Sequence, residues 1–359
     1  MKVSIIGAGN SGMAMAAHLS RDGHEITLWN RSKATIAKMM ETRTVRCFGE
    51  VNGEFPIDVV TDDIQLALKD PDIIMITTPA NSHKELAELI GRNIRKSTVI
   101  LLSPGRTFGA VEFRNVYRKF NSEYPQTIAE AQTIIHTCRK TDVDAVNIIA
   151  FKDDVLVAAL DQEPGDNIIE SFPQGIQEYF RLAKSMIETS IGNVGMVLHC
   201  APLLLNAGWT ENEGNEYQYY YDGITPTVGA FIEKIDAERI AVSRELGDEV
   251  ESTREWMIRT YHVTGDTLYE CIQNNEAYRT IGAPKSLRHR YLLEDVPCGL
   301  VPLEGVGLKL GLDMTHTTLV VDLASRMLDI DFRALGRNME HLDISNRNIE
   351  EHSLFNGKK

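Results

Sequence analysis

The sequence predicts an α/β half followed by an all-α half, on three observations. A short apolar run, Val3, Ile5 and Ile6, ends in Gly7-Ala8-Gly9-Asn10-Ser11-Gly12, after which Met13, Ala14, Ala16, Ala17 and Leu19 continue at helical spacing. Two more apolar runs, residues 72–77 and 98–102, have the character of parallel strands covered on both faces. Beyond about residue 222 such runs give way to long amphipathic helices. At 359 residues the chain is too long for one ordinary core, and the change of pattern divides it into residues 1–187 and 188–359.

Strand, glycine turn and helix open a Rossmann-type dinucleotide-binding unit. Gly7 allows the tight turn, Gly9 lets the backbone approach a pyrophosphate, and Gly12 lets the helix pack close to the strand. Asn10 and Ser11 then stand at a helix N-terminus whose N–H groups and dipole face the phosphates. Residues Glu25–Trp29 supply the second strand that the motif requires. At its end an NAD-specific site places Asp or Glu against the ribose 2′-hydroxyl. This chain has Asn30-Arg31-Ser32. A carboxylate would repel a 2′-phosphate, whereas Arg31 can pair with it and Asn30 and Ser32 can donate hydrogen bonds, so NADP(H) is the expected cofactor, with NAD(H) also admitted.

In order, residues 32–42 read as a helix, 43–60 as short strands about an Asn52-Gly53 turn, and 62–68 as another helix. The strand at 72–77 ends in Thr78-Pro79-Ala80, where a ligand-facing loop belongs. A helix at 83–94 and the strand at 98–102 lead to Ser103-Pro104-Gly105-Arg106-Thr107, whose N–H groups from Gly105 onward are candidates to face the cofactor or a substrate carboxylate; a plain Pro-Gly turn is the alternative. A helix at 113–119 and strands at 126–131 and within 144–160 follow, with Glu130 placed near substrate by its position at a strand end. Residues 176–187 read as a helix leaving this half.

The second half carries amphipathic helices at 228–245, 251–261, 301–310 and 319–328, and a frayed tail at 351–359. Two stretches break the rhythm. In 193–209 His199 lies in an apolar run, where a titratable ring needs a partner; spacing alone favours a satisfied core histidine over a catalytic one. In 288–302 cations, carboxylates, Tyr291 and turn formers are packed together, with Asp295 readable as a helix cap.

The net charge of −14 opposes nonspecific binding to nucleic acid or to acidic membrane surfaces. Five scattered cysteines without CxxC spacing suggest neither a disulfide framework nor a metal site and fit a reducing cytoplasm. Met1-Lys2 leads straight into a strand, leaving no room for a signal peptide, and no apolar run reaches the length of a membrane span.

The chain resembles the opine dehydrogenases of the octopine and nopaline dehydrogenase group. The resemblance is carried, in order, by GAGNSG at 7–12, SPGRTFGAVEF at 103–113, LLNAG at 204–208 after His199, YYYDGITPTVG at 219–229, DAERIAV at 236–242 and RYLLEDVPCGLVPL at 290–303. It implies a helical domain of opine dehydrogenase type and an NAD(P)H-dependent reductive condensation of an α-keto acid, pyruvate in the first instance, with the amino group of an L-amino acid. It sets His199 as the acid/base histidine, Asp295 as its partner and Arg290 as the holder of a substrate carboxylate. Thr225 and the tyrosines at 219–221 become candidates to line the amino acid pocket, a core cluster being the alternative. The chain departs from its relatives at Cys200, where they commonly carry proline. A homodimer is compatible with the sequence. Two rival classes are a keto acid reductase of the ketopantoate reductase or glycerol-3-phosphate dehydrogenase type and a non-catalytic NADP(H) sensor; the first lacks its lysine motif here, and the second has no need of His199, Arg290 and Asp295 together.

Overall fold

The computed structural model describes residues 1–161 and 166–344. The chain divides into two units, Met1–Ser190 and one that begins at Ile191. The tail expected to fray lies outside the described residues.

In the first unit the apolar runs become the inner strands of an eight-stranded sheet. Its strands are β1 (Lys2–Ile6), β2 (Glu25–Trp29), β5 (Val59–Thr61), β6 (Ile73–Ile76), β7 (Val99–Leu102), β8 (Thr127–Ala131), β11 (Val155–Ala159) and β12 (Phe180–Leu182), in the order β12-β11-β8-β7-β6-β1-β2-β5. Neighbours are parallel except β8 and β11. From β1 the chain builds outward through β2 to β5, then returns to β6 and builds the other way. The order therefore reverses between β1 and β6, which is where open α/β sheets take ligands beyond their strand ends.

Helix α1 (Asn10–Arg21) follows β1 and is buried from Gly12 to Leu19. It packs on β1 and β2 and also against a second sheet, β4-β3-β10-β9, made of β3 (Thr44–Gly49), β4 (Gly53–Pro56), β9 (His136–Asp142) and β10 (Ala145–Phe151). Small residues at 14, 16 and 17 suit a helix walled in on both sides. The other helices are α2 (Lys33–Thr42), α3 (Ile64–Ala67), α4 (His83–Asn93), α5 (Gly109–Phe120) and α6 (Met186–Ser190).

Two stretches differ from the sequence reading. Residues 176–187 do not form a helix: a 3-10 turn at Gln174–Tyr179 runs into β12, which pairs in parallel with β11. Edge pairing with β11, which no local pattern announces, decides the structure here over the helical spacing. Strand β9, by contrast, went unrecognised because the residues it buries are His136 and Cys138, which do not read as an apolar alternation.

The second unit is helical: α7 (Gly195–Leu205), α8 (Ala207–Thr210), α9 (Pro226–Glu245), α10 (Thr253–Tyr261), α11 (Leu268–Gln273), α12 (Arg290–Leu293), α13 (Val301–Lys309), α14 (Thr315–Leu328) and α15 (Phe332–Leu335). Its starts are written in the sequence. Thr225 caps α9 ahead of Pro226, and Ser252/Glu255 and Thr267/Glu270 form capping boxes on α10 and α11. A single π turn, Val296–Leu300, precedes α13 and carries Asp295 at its start. No described helix is long and apolar enough to cross a membrane.

Candidate active site

The turn after β1 has the stereochemistry of a phosphate cradle. Gly7 sits at φ +113°, and a Cβ on Gly12 would lie 1.7 Å from the Gly7 carbonyl oxygen, so both positions require glycine. Gly9 is different. Its backbone is extended, and a Cβ there would meet nothing within 4 Å. Neither strain nor internal packing calls for glycine at that position, which fits a ligand laid against the backbone at the start of α1. Ser11 stands half-buried in the first turn of α1, and Asn10 Oδ1 accepts from the Lys140 amide at 3.1 Å, tying the helix start to β9.

Around this turn the other expected cofactor residues divide. The Thr77 hydroxyl donates to the carbonyls of Ile6 and Gly7, and Thr78 lies against Gly7 and accepts from Ser82 Oγ at 2.8 Å. Pro79 is exposed at the same loop. Asn30 braces the turn rather than facing outward: its Oδ1 accepts from the Ala8 amide at 3.2 Å and its Nδ2 donates to the Ser32 carbonyl. Ser32 and Arg31 are exposed, and Arg31 pairs with Glu85 of α4 at 2.6 Å. Glu85, the third residue of α4, carries no signal in the sequence that it would meet Arg31.

Gly105 and Glu130 correct the sequence reading. The Gly105 N–H donates to the Ala131 carbonyl at 3.2 Å, and a Cβ at Gly105 would strike the Glu130 carboxylate at 2.3 Å. Glu130 is fully buried. It accepts from the Ala110 amide at 3.0 Å, from the Thr189 hydroxyl at 2.9 Å and from the Ser190 hydroxyl. A carboxylate enclosed in this way holds α5 and α6 to the end of β8, and glycine at 105 is what makes room for it.

In the helical unit two stretches that the sequence singled out meet. His199 lies in α7 and Asp295 at the π turn, with His199 Nδ1 2.7 Å from Asp295 Oδ2. Asp295 is 1% exposed and the His199 side chain 16%. The carboxylate accepts, which puts the ring hydrogen on Nδ1 and leaves Nε2 as an acceptor. There the Tyr220 hydroxyl lies 3.1 Å away. Burial, and after it the neighbouring Tyr291, holds the Tyr220 phenol well above its ordinary range, so it keeps its proton and can donate. The Tyr291 ring stacks on the imidazole at 3.9 Å with 8° between planes. In α7 Pro202 has no N–H for the Leu198 carbonyl one turn back. The Tyr219 hydroxyl donates to the His199 carbonyl at 2.5 Å. Cys200 sits in an unbroken helix, its thiol donating to the Tyr291 carbonyl at 3.3 Å.

Arg290 is exposed at the start of α12 and pairs with the buried Glu294 at 3.2 Å. Thr225 serves as the cap of α9, accepting from the Val228 amide at 3.3 Å, and from its segment it is Tyr220 whose hydroxyl reaches the histidine. Tyr291 was named only as part of the 288–302 cluster; its place one residue after Arg290 and four before Asp295 was the available signal. Among the described residues no group of three or more His, Cys, Asp or Glu is placed to hold a metal ion.

Comparison with known proteins agrees with this division. Residues 182–328 match the family model of the NAD/NADP octopine/nopaline dehydrogenase α-helical domain, and residues 2–107 that of the NAD-dependent glycerol-3-phosphate dehydrogenase N-terminus. The chain is 36% identical over 343 residues to an opine dehydrogenase of Arthrobacter sp. (strain 1C), covering 95% of each. In fold it is similar to octopine dehydrogenase solved with NADH and L-arginine, at a TM-score of 0.80, 19% identity and coverage of 100% and 98% of the two chains. It is also similar to yersinopine dehydrogenase bound to NADP+, at a TM-score of 0.74, 13% identity and coverage of 99% and 97%. With a glycine cradle at a Rossmann switch point and a carboxylate-backed histidine in the matching helical domain, the chain belongs to the opine dehydrogenase family, the octopine/nopaline dehydrogenase group of NAD(P)-dependent oxidoreductases.

Proposed function

We propose that the protein condenses an α-keto acid, pyruvate in the first instance, with the amino group of an L-amino acid and reduces the resulting imine to an N-(carboxyalkyl)amino acid, or runs the reverse oxidation. The observation that carries the reading is the 2.7 Å His199–Asp295 pair in a domain of this family. The nicotinamide cofactor supplies or accepts the hydride. In reduction, His199 as imidazolium donates a proton from Nε2 to the keto-derived oxygen and assists its loss as water. In oxidation, neutral His199 takes the proton of the secondary amine at Nε2, and Asp295 stabilises the charge on Nδ1. Arg290 offers its exposed guanidinium to a substrate carboxylate, in competition with Glu294.

Residues Gly7, Gly9, Ser11 and Gly12 with the start of α1 would hold the pyrophosphate. The absence of a carboxylate at Asn30-Arg31-Ser32 favours NADP(H) over NAD(H), and Arg31 must leave Glu85 to meet a 2′-phosphate. The test is oxidation of NADPH and NADH by the purified protein with pyruvate and a panel of L-amino acids that includes arginine, lysine and aliphatic members. Turnover that needs both pyruvate and an amino acid is the expected result. Turnover with the keto acid alone would assign a simple reductase instead.

A further inference from the structure

Both edges of the His199 ring are held. Asp295 takes the Nδ1 side and the Tyr220 hydroxyl the Nε2 side. With the two ring nitrogens hydrogen-bonded and Cγ tied to the backbone through Cβ, the remaining soft motion is a coupled libration in χ1 and χ2 that tilts the ring plane. Because the two N–H directions of an imidazole are not collinear, that tilt turns the Nε2 lone pair out of line with any proton partner. A contact on the face of the ring damps it, and Tyr291 supplies one, nearly parallel at 3.9 Å.

Tyr291 is held in turn. Its carbonyl accepts from the Cys200 thiol and its N–H donates to His289 Nδ1 at 3.4 Å, while the His289 ring stands edge-on to it at 4.5 Å. The Tyr219 ring packs against it at 5.1 Å. Tyr220 is wedged as well, stacked on Tyr278 at 4.2 Å. The buried charges of α9, which packs against α7, are engaged elsewhere: Asp236 with Arg239, and Glu238 with His316 of α14.

We propose that Tyr291 is a positioning residue for the reductive condensation, its ring face fixing the plane of His199 so that Nε2 points along the proton-transfer direction. This rests on the reading of His199 as the acid/base group. The face of the ring carries this role; the Tyr291 phenol makes a separate interaction with the Tyr220 hydroxyl.

The test compares Tyr291→Leu with Tyr291→Phe. Leu is expected to lower kcat by about 10- to 100-fold, the scale of a small misplacement of a reacting group, with KM for the keto acid and affinity for NADPH little changed. The solvent deuterium isotope effect on kcat should rise and the effect of deuterated nicotinamide should fall, because proton transfer has become the slower step. Phe keeps the ring face and gives up only the phenol's bond with Tyr220, so it should lie much nearer wild type than Leu. Tyr291→Met, bulky but without a planar face, should behave as Leu does and serves if Leu fails to fold. Equal losses in Phe and Leu, or losses confined to KM, would overturn the assignment. A substrate-free reading separates this from the proposed function. In 15N-histidine spectra the wild-type His199 is expected as a single Nδ1–H form, and Leu or Met should add a second, exchanging population. An unchanged His199 signal in those variants sinks the positioning role whatever the substrate proves to be, whereas a wild type silent toward every substrate pair counts against the function alone.

Discussion

His199 and Asp295, 96 residues apart in sequence, meet at 2.7 Å with the carboxylate almost fully enclosed. At that burial a carboxylate on the ring does more than balance its charge; it selects which ring nitrogen carries the hydrogen. Asp295→Asn keeps the shape and reverses the preference, since an amide nitrogen donates to Nδ1. The variant is expected to lose about 10^2- to 10^4-fold in kcat with NADPH affinity retained. Stopped-flow turnover beside a fluorescence titration of NADPH checks this, and loss of affinity in place of turnover would remove the assignment.

Gly9 and Gly12 separate folding from binding. At Gly12 a methyl group would collide with the Gly7 carbonyl, so Gly12→Ala should lower the melting temperature as well as nucleotide affinity. At Gly9 there is space, so Gly9→Ala should leave the melting temperature near wild type and weaken NADPH by about tenfold or more, some 1.4 kcal/mol. Calorimetry of both variants, with and without NADPH, decides between these outcomes. A wild-type affinity in Gly9→Ala would mean that nothing lies against that backbone.

Arg31 is contested by Glu85. An exposed pair of this kind contributes about 0–1 kcal/mol, so a 2′-phosphate can displace the carboxylate at modest cost. Arg31→Ala should therefore lower the ratio of kcat/KM for NADPH over NADH, and Glu85→Gln should raise it by up to about fivefold. The two ratios are measured side by side. Movement in the same direction would show that the pair acts as a unit with no part in choosing the cofactor.

Acid should unfold the first unit through His18 and His136. The two rings are 3.1 Å apart between α1 and β9, and burial holds His18 down to about 4 and His136 to about 3. Folded-state values below the unfolded 6.5 mean that the unfolded chain binds more protons. The stability contributed by these residues is complete above pH 6.5 and is lost as pH falls from there through the folded values. At pH 5 the loss is on the order of 2 kcal/mol for each histidine, at about 1.4 kcal/mol per unit. Urea midpoints at pH 7.5 and pH 5 should show it, and His136→Gln should lose about half as much. Equal losses in the two proteins would place the acid sensitivity elsewhere.

What could be read without the structure follows from how each feature encodes itself. Strands β1, β6 and β7 are buried on both faces and appear as unbroken apolar runs, and the glycine turn carries its stereochemistry in its spacing. Strand β9 was hidden because its core residues are histidine and cysteine, and β12 because three residues at a sheet edge give no period to detect. In the site, His199 and Asp295 stood out as polar residues in apolar or turn-rich surroundings. Glu130 drew notice only by its place at a strand end, and its partners Ala110, Thr189 and Ser190 come from distant turns that no local pattern announces. The aromatic box around the histidine was half visible: tyrosines at 219–221 mark a cluster, but only the fold decides that Tyr220 meets the ring edge and Tyr291 its face.

The π turn at Val296–Leu300 gives the active site an arithmetic character. A π turn holds one residue more than the α turn it replaces, and each helical residue accounts for about 100° of rotation. Removing one residue between Asp295 and α13 would leave a regular helix, with every buried side chain of α13 in place, and swing Asp295 through more than a quarter circle away from His199. The pairing of histidine and carboxylate in this protein is thus a matter of counting along the chain: an added residue aims the carboxylate, and a one-codon deletion would part the pair while leaving a well-folded helix behind.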